Sequence, residues 1–486
     1  MPRAATMPLL RLPDGPHRSL HERLCEAVST AIAAGDLTPG TMLPSCRALA
    51  GQFGLSRNTV QAAYAALTDR GLLSVRDRSG YVVAGQTASA VPGRQQDTGP
   101  SPLTWTGPRP SELPRVIHPA DWAHYPFPFI YNQTDSALFP IEAWRDCSRL
   151  ALNRRTLRGW TGDMVEGDSA DLSRLIRTRL KLHRGIDARP EEILITPGAQ
   201  GAIAIVAALF AGLPGAVAME NPGYPDARNA FLIAGNRVLP VPVDEAGLQV
   251  DDLPVQTKLV YATPSYQFPT SVTLTMDRRR RLLDRAAAEG FVILEDEYEA
   301  ELRNPDRLPA LRALDGADRV IHVGSFSKTL SPGLRLGFMV AHPDIIAEAR
   351  AVRVVQCRHV PTVVQEAAAI FIAKGYFDSH LRALDAELSV RREAIRAAIA
   401  EHLPEFRIGP SHGGTAIWLQ GSDGFDAAGF KQALLAKGVI VDSGEVFHID
   451  GTAHGCIRLA FAAVPTDLID AGVTVIAEVL RGTGPS

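Results

Sequence analysis

The sequence has little cysteine, and none of it is paired by spacing. Cys25, Cys46, Cys147, Cys357 and Cys456 are five in 486 residues, an odd number with no Cys-x-x-Cys pair. That excludes a disulfide framework and a thiolate zinc site, and suits reduced thiols in the cytoplasm. A long apolar run is also missing. The most apolar stretch, "AIAIVAALFAGLPGAVAM", is broken by Gly and Pro before spanning length and reads as a core helix followed by a strand. The opening residues "MPRAATMPLLRLPDG" lack the apolar core of a signal peptide, so the expected location is cytoplasmic, with no membrane partner. Overall charge is nearly balanced, at -3. Within that balance the first 85 residues hold nine arginines, six acids and no lysine. A mildly basic front permits nucleic-acid binding without requiring it.

What is present reads as several units. A chain of 486 residues suggests roughly three domains, and 46% hydrophobic with 21% charged residues is ordinary for a globular protein. Residues 16–83 alternate helical patterns with tight turns. The stretch "AGQTASAVPGRQQDTGPSPLTWTGPRPSELPRV" is rich in Pro, Gly, Ser and Thr, has no apolar period, and reads as a linker. From about 119, "EILIT", "AVAME", "KLVYAT", "FVILEDE" and "RVIHVGS" are short β-branched strands between helical stretches such as "DRRRRLLDRAAAEG". That alternation predicts an α/β core with a mostly parallel sheet. The part from about 371 reads as a smaller α+β unit.

The front parses into capped helices. Leu20 to Ala34 is a helix ended near Gly35. Ser45 caps "CRALAGQF", and Ser56 caps "RNTVQAAYAALTDR". Two short helices around a tight turn make a helix-turn-helix, and "LLSV" with "YVV" around "RDRSG" makes a hairpin. The second helix then presents Arg57, Asn58 and Thr59 from its first turn to a major groove. Ser45 and Arg47 sit where exposed amides favour a phosphate, and Arg76 and Arg78 lie on the hairpin. A helical hairpin with solvated arginines is the plain alternative for any one of these residues. Taken whole, "GDLTPGTMLPSCRALAGQFGLSRNTVQAAYAAL" resembles the winged helix of the GntR regulators, which implies a double-stranded DNA operator as partner. Cys46 and Arg78 depart from that pattern.

In the body, "FVILEDEYEAEL" sets Asp296 and Tyr298 just past a buried strand, where ligands of open α/β sheets bind. A carboxylate there can hold a pyridinium nitrogen, although an acid cluster after a strand is also an ordinary helix cap. "GSFSKTLSPGLRLGF" places Lys328 in a turn at a strand's end, among small residues that suggest something must come close. Burial and a neighbouring cation would make its amine nucleophilic, whereas a lone Ser-Lys would be a surface loop. Ser325, Ser327 and Arg335 offer donors to a phosphate beside it. "ITPGAQGAI" puts Gly198, Ala199 and Gln200 at a helix start able to bind phosphate. "ENPGYPDAR" sets Tyr224 where a ring could stack on a flat cofactor or simply pack. "CIRLAFA" buries Arg458, which needs an anionic partner, a ligand carboxylate or an internal acid.

These segments resemble the fold-type I aminotransferases, over roughly residues 119–486. The resemblance implies pyridoxal 5'-phosphate as cofactor. Lys328 would form the internal aldimine, Asp296 pair the pyridine nitrogen, Tyr298 and Gln267 stand near the ring oxygen, and Tyr224 stack. Ala199, Gln200, Ser325, Ser327 and Arg335 would serve the phosphate, and Arg458 would take a substrate α-carboxylate. Tyr266 and Ser271 stand where many relatives have His and Gly.

Joined, the two modules resemble the MocR/GabR regulators. The expected fold class is α/β, with a winged helix-turn-helix over 1–85, a flexible linker over 86–118, and an aminotransferase-like body with large and small domains over 119–486. The resemblance implies a homodimeric, pyridoxal-phosphate-dependent transcription factor, with the winged helix resting on the partner's body. An amino acid or amine effector would form an external aldimine and alter DNA binding. Members that sense γ-aminobutyrate hold its distal carboxylate with an arginine where this chain has Asp226, so an effector without a distal carboxylate, such as a diamino acid, is expected. Arg228 close by is the residue that could restore a carboxylate site. A working aminotransferase with a DNA-binding arm, and a DNA-binding protein with an inert scaffold, are the competing readings.

Overall fold

A computed structural model describes residues 12–13, 19–76, 80–85, 109–154, 157–163, 167–299, 301–302, 308–410, 413–451 and 455–483. The chain divides into two compact units, Met1–Thr104 and Trp105–Ser486.

In the first unit, helix Leu20–Ala33 begins in a reciprocal capping box between Ser19 and Glu22. Helix Cys46–Phe53 is capped by Ser45 and ended by Gly54 in the left-handed region, at φ +64°. Helix Arg57–Asp69 is capped by Ser56. Strands Leu73–Arg76 and Gly80–Val83 pair antiparallel as the wing. Leu24, Val28 and Ile32 recur on one face of the first helix and bury against Leu49, Val60 and Leu67. Each such side chain contributes about 1.5–3 kcal/mol by leaving water. Tyr64 is fully buried and donates its hydroxyl to the Pro44 carbonyl at 3.1 Å, so the segment leading into helix Cys46–Phe53 is tied to the core.

The second unit is built on an eight-stranded sheet. Its order is Ile193–Thr196, Gly337–Val340, Val320–Ser325, Val292–Glu297, Thr257–Ala262, Ala216–Asn221, Val238–Asp244 and Gly247–Leu248. Each strand expected from the sequence is present. Neighbouring strands from Val320–Ser325 through Val238–Asp244 run parallel. Strand Gly337–Val340 is antiparallel to both its neighbours. It went unread in the sequence because "GFMV" is short and directly follows the lysine turn.

Helix Tyr376–His402 leads into the smaller part, a four-stranded sheet in the order Arg407–Ile408, Ala416–Gln420, Cys456–Ala460, Asp442–Ser443. Strand Phe127–Pro128 pairs with Val439–Ile440, and Phe129 is fully buried in the small-domain core. The end of the stretch expected as linker is fastened to this unit. Leu113 is buried, Asn229 Nδ2 donates to the Pro114 carbonyl at 2.8 Å, and His118 Nε2 donates to Asp442 Oδ1 at 2.7 Å.

The glycines near Lys328 serve packing. A methyl group on Gly324 would lie 2.2 Å from the Phe338 ring, its cross-strand neighbour. One on Gly337 would lie 2.8 Å from the Gly198 backbone. Gly324→Ala should therefore destabilise the unit by about 1–3 kcal/mol or more, through overpacking. Adding Phe338→Leu should recover part of that loss in a denaturation double-mutant cycle. Strict additivity would show that the two positions do not compete for space.

Candidate functional site

Several parallel strands deliver their carboxyl ends to one cavity. It is lined by Tyr261 and Thr263 from one strand end, Asp296 and Tyr298 from the next, and Ser325, Ser327 and Lys328 from a third. Tyr224, Asp226, Ala199, Gln200 and Arg335 close it on other sides, with Tyr131, Asn132 and Phe268 opposite.

Asp296 forms part of the wall and is buried. Its Oδ2 accepts the Tyr261 hydroxyl at 2.7 Å, while Oδ1 has no hydrogen-bond partner. Burial lifts its pKa to about 6, against the pull of the Tyr261 hydrogen bond. A buried carboxylate oxygen without a donor costs about 1–3 kcal/mol, which a ligand N–H would recover.

Lys328 is 9% exposed, with Nζ 4.9 Å from the centroid of the Tyr131 ring. Burial lowers its pKa to about 8, opposed by Glu299 and assisted by Arg458. A lysine so depressed has a substantial neutral, nucleophilic fraction near neutral pH. Before it, the Ser327 amide donates to Ser325 Oγ at 3.1 Å, shaping the turn.

Helix Gly198–Leu209 points its amino end at this turn and carries no side-chain cap. Gly198 has φ +75°, and a Cβ there would sit 3.2 Å from Arg335 Nη2. Arg335 Nη2 donates to the Pro197 carbonyl at 2.9 Å, so its guanidinium is held beside the free amides of the helix. Free amides, two serines and a guanidinium make an anion cup.

Tyr224 lies edge-on to Phe268, with ring centroids 5.1 Å apart. The Tyr131 hydroxyl donates to Tyr224 Oη at 2.7 Å, and the Tyr224 hydroxyl donates to Asp226 Oδ2 at 3.4 Å. Burial raises the Asp226 pKa, with the Tyr224 hydrogen bond, Arg115 and Arg228 opposing it. Tyr298 faces the cavity, but its hydroxyl donates to the Tyr266 carbonyl at 2.9 Å. Arg458 is 2% exposed and lies over the rings of Phe268 and Tyr131, at 4.7 and 5.7 Å. Its Nε and Nη1 have no hydrogen-bond partner.

Two expected residues are placed otherwise. Gln267 does not line the cavity. Its amide nitrogen donates to Pro222 and Phe268 carbonyls at 2.8 and 2.7 Å, and its oxygen accepts from Thr270 Oγ1 at 2.6 Å, so it braces a loop. Arg228 does not line the cavity, and its guanidinium donates to the His448 and Val446 carbonyls at 2.9 and 3.1 Å. Ser271 has φ +63°, in the left-handed region that glycine adopts most readily. Tyr131, Tyr261 and Phe268 were missed. Tyr261 was readable as the end of "KLVYAT", beside the strand of Asp296. Tyr131 and Phe268 carry no local signal.

In the winged unit, Arg47, Arg57 and Asn58 are exposed. The Ser45 and Ser56 hydroxyls accept from the amides of Ala48 and Thr59 at 3.2 and 3.0 Å, so both are engaged as caps. Thr59 is half-buried with its hydroxyl 2.8 Å from Ser56 Oγ. Arg78 lies outside the described residues. Among the described residues, no group of His, Cys, Asp or Glu is arranged to hold a metal, and no helix is long and apolar enough to cross a membrane.

The Lys328 environment has a measurable consequence. Its folded pKa, about 8, lies below the unfolded value near 10.5. Burying the charged amine therefore costs stability below pH 8, and the cost fades as pH rises from 8 to above 10.5. Lys328→Met in cofactor-free protein should be more stable than wild type at neutral pH, by on the order of 3 kcal/mol. That advantage should shrink across the alkaline range in urea titrations, and a constant difference would contradict the burial argument.

Residues 161–476 match the family described as aminotransferase class I and II, and residues 20–83 match bacterial regulatory proteins of the gntR family. The chain is 38% identical over 475 residues to the HTH-type transcriptional regulator TauR of Rhodobacter capsulatus, covering 97% of this chain and 98% of that one. It is 34% identical over 402 residues to the probable rhizopine catabolism regulatory protein MocR of Rhizobium meliloti, covering 80% and 78%. Among solved structures it is similar to the α-aminoadipate aminotransferase LysN of Thermus thermophilus, captured with N-(5'-phosphopyridoxyl)-L-leucine. That match has a TM-score of 0.71 and 28% identity, covering 77% of this chain and 96% of that one. The chain belongs to the MocR-type family of transcriptional regulators, in which a GntR winged helix that binds DNA is joined to an aminotransferase class I and II domain.

Proposed function

We propose that this regulator holds pyridoxal 5'-phosphate at Lys328, senses an amino compound there, and changes its hold on operator DNA in response. The carrying observation is a set of unsatisfied buried groups at and beside one cavity. In its wall Asp296 Oδ1 lacks a donor and Lys328 is buried, and Arg458, over the lining rings of Tyr131 and Phe268, has Nε and Nη1 without acceptors. The cofactor, when bound, supplies an aldehyde that condenses reversibly with amines. Asp296 would hold its ring nitrogen, and Tyr224 and Tyr298 would border its ring. The amides of Ala199 and Gln200, with Ser325, Ser327 and Arg335, would hold its phosphate. The fit is chemical: an acid for a pyridinium, a cup for a dianion, an amine for an aldehyde.

Effector choice falls to Arg458 and Asp226. Arg458 binds an acid group through its free donors. Asp226, with Arg228 turned away to backbone carbonyls, repels a second acid and accepts an ammonium. The reading is therefore an amino acid carrying a further positive group. A homodimer belongs to the same reading. The surface groove lined by Trp122, Tyr125, Phe139, Ile141 and Trp144 is the kind of apolar face a second copy covers, which sedimentation would test. The winged helix resting on the partner's body, cytoplasmic action and domain limits of 1–85, 86–118 and 119–486 complete it.

A second reading has support from Lys328 itself. A lysine with a pKa of about 8 suits proton transfer as well as capture, so turnover as an aminotransferase is the alternative. Repeated transfer to a keto acid would favour the enzyme. A lasting complex with altered DNA affinity would favour the sensor.

Titration of the cofactor's visible absorbance should show diaminobutyrate binding at least about tenfold tighter than γ-aminobutyrate. Asp226→Arg should reverse that order, and a wild-type preference for γ-aminobutyrate would sink the assignment. On the DNA side, Arg57→Ala should lower operator affinity by about 1–3 kcal/mol and relax sequence preference. Arg47→Ala should weaken binding to all sequences and flatten the salt dependence. Equal, sequence-blind losses in both variants would place Arg57 on the phosphate backbone.

A further inference from the structure

Arg458 and Asp442 stand opposite each other on adjacent antiparallel strands, so the pair is built into the register. Opposite charges so placed usually close to a hydrogen bond. Here Asp442 Oδ2 stops 3.8 Å from Arg458 Nη1, and neither atom has a hydrogen-bond partner. The other oxygen explains the gap. Asp442 Oδ1 accepts from His118 Nε2 at 2.7 Å, across 324 positions of sequence. Asp442 is fully buried and His118 nearly so, with 14% of its side chain exposed. Pinned this way, the carboxylate compensates the arginine's charge without taking its donors.

His118 ends a strap fixed along its length. The Pro114 carbonyl accepts from Asn229, on helix Pro225–Ile233, which also carries Asp226. Val116 packs on the aromatic cluster of Phe268, Trp418 and Phe447, which Tyr224 and Tyr131 also touch. In sequence the strap leads back through residues 86–108 to the winged helix.

We propose that His118 and Asp442 are positioning residues for the effector's acid group: His118 draws Asp442 away from Arg458, keeping the guanidinium's donors free, and thereby ties the strap Leu113–His118 to occupancy of the site. The proposal rests on the reading that amines are captured at Lys328. Without His118, Asp442 is free to turn and close onto Arg458, competing with the incoming acid. The defect must therefore be specific to ligands that carry one.

The test uses full-length, cofactor-loaded protein titrated with alanine and with ethylamine, which lacks only the carboxylate, followed by absorbance. His118→Ala should weaken alanine about tenfold, the worth of one charge-assisted hydrogen bond, and leave ethylamine unchanged. His118→Gln, which can still donate to Asp442, should restore most of the loss. Asp442→Asn should move alanine the other way, toward tighter binding, because the guanidinium loses its counter-charge. Hydrogen exchange gives a second readout. Alanine should alter exchange across Leu113–His118 in wild type and not in His118→Ala. If wild type answers both amines and His118→Ala shifts both alike, or neither, the positioning role is overturned. If wild type answers neither amine, the capture reading fails and this inference falls with it.

Discussion

An amine kept out of water is the constraint on which the body of this protein depends. Lys328 lies at the end of a central strand, and burial pulls its pKa to about 8. A charge in that position is tolerable only where opposite charges stand near without neutralising it by contact. Glu299 and Asp442 favour its proton while Arg458 opposes it, so the amine is balanced between two protonation states. Asp296 Oδ1 in the same wall, and two nitrogens of Arg458 beside the lining rings of Tyr131 and Phe268, are without partners. Each orphan of this kind costs about 1–3 kcal/mol. Three such atoms in one neighbourhood mark a site whose missing partners arrive with a ligand.

Such a site needs a frame that does not relax to satisfy its own groups. The frame is the sheet and its close contacts. Gly324 admits the Phe338 ring, and Gly337 admits the Gly198 backbone. Those contacts lock the lysine strand, its antiparallel neighbour and the start of helix Gly198–Leu209 into one block. Buried ion pairs behind the pocket do similar work. Arg184 bonds Glu297 at 2.9 Å, and His322 bonds Glu295 at 2.8 Å, so neither acid is free to turn toward the lysine. Removing one partner of such a pair is far more disruptive than its net worth suggests, because the other is left charged and buried.

How much of this was legible in the sequence follows from how local each signal is. The winged helix was legible almost to the residue, because caps such as Ser45, Ser56 and Gly54 act within one turn. The strand ends bearing Asp296 and Lys328 were legible because apolar runs stop there. The backbone contacts that hold Gln267 and Arg228 were not legible, because some of their partners are distant. Gln267 bonds Pro222 across 45 positions, and Arg228 bonds His448 across 220. Proximity to a motif does not say which way a side chain turns. Asp442 looked like any acid in a small-domain strand, and His118 like linker, since nothing in either neighbourhood points to the other. Even the glycines around Lys328, legible as crowding, owed their presence to ring and backbone packing.

A DNA-binding chain gains something particular from a site of this kind. A ligand recognised by a single contact can be imitated by any molecule bearing the same group. In the proposed reading a compound must meet Lys328 with an amine and Arg458 with an acid. One that meets only the first leaves the guanidinium buried with donors unmade, a penalty that separates true effectors from near relatives more sharply than added contacts would. In the same reading Asp226 extends the logic from attraction to exclusion, since a second acid placed beside it stands against a half-buried carboxylate, and the neighbouring Arg228 is already bonded to backbone. The discrimination thus comes less from what the pocket holds than from what it leaves unsatisfied. That requires Arg458 to keep its donors free in the absence of ligand, and the register of the small-domain sheet, by setting Asp442 directly opposite, works against it. A residue that restrains Asp442 is therefore a condition of selectivity, and His118 occupies that place.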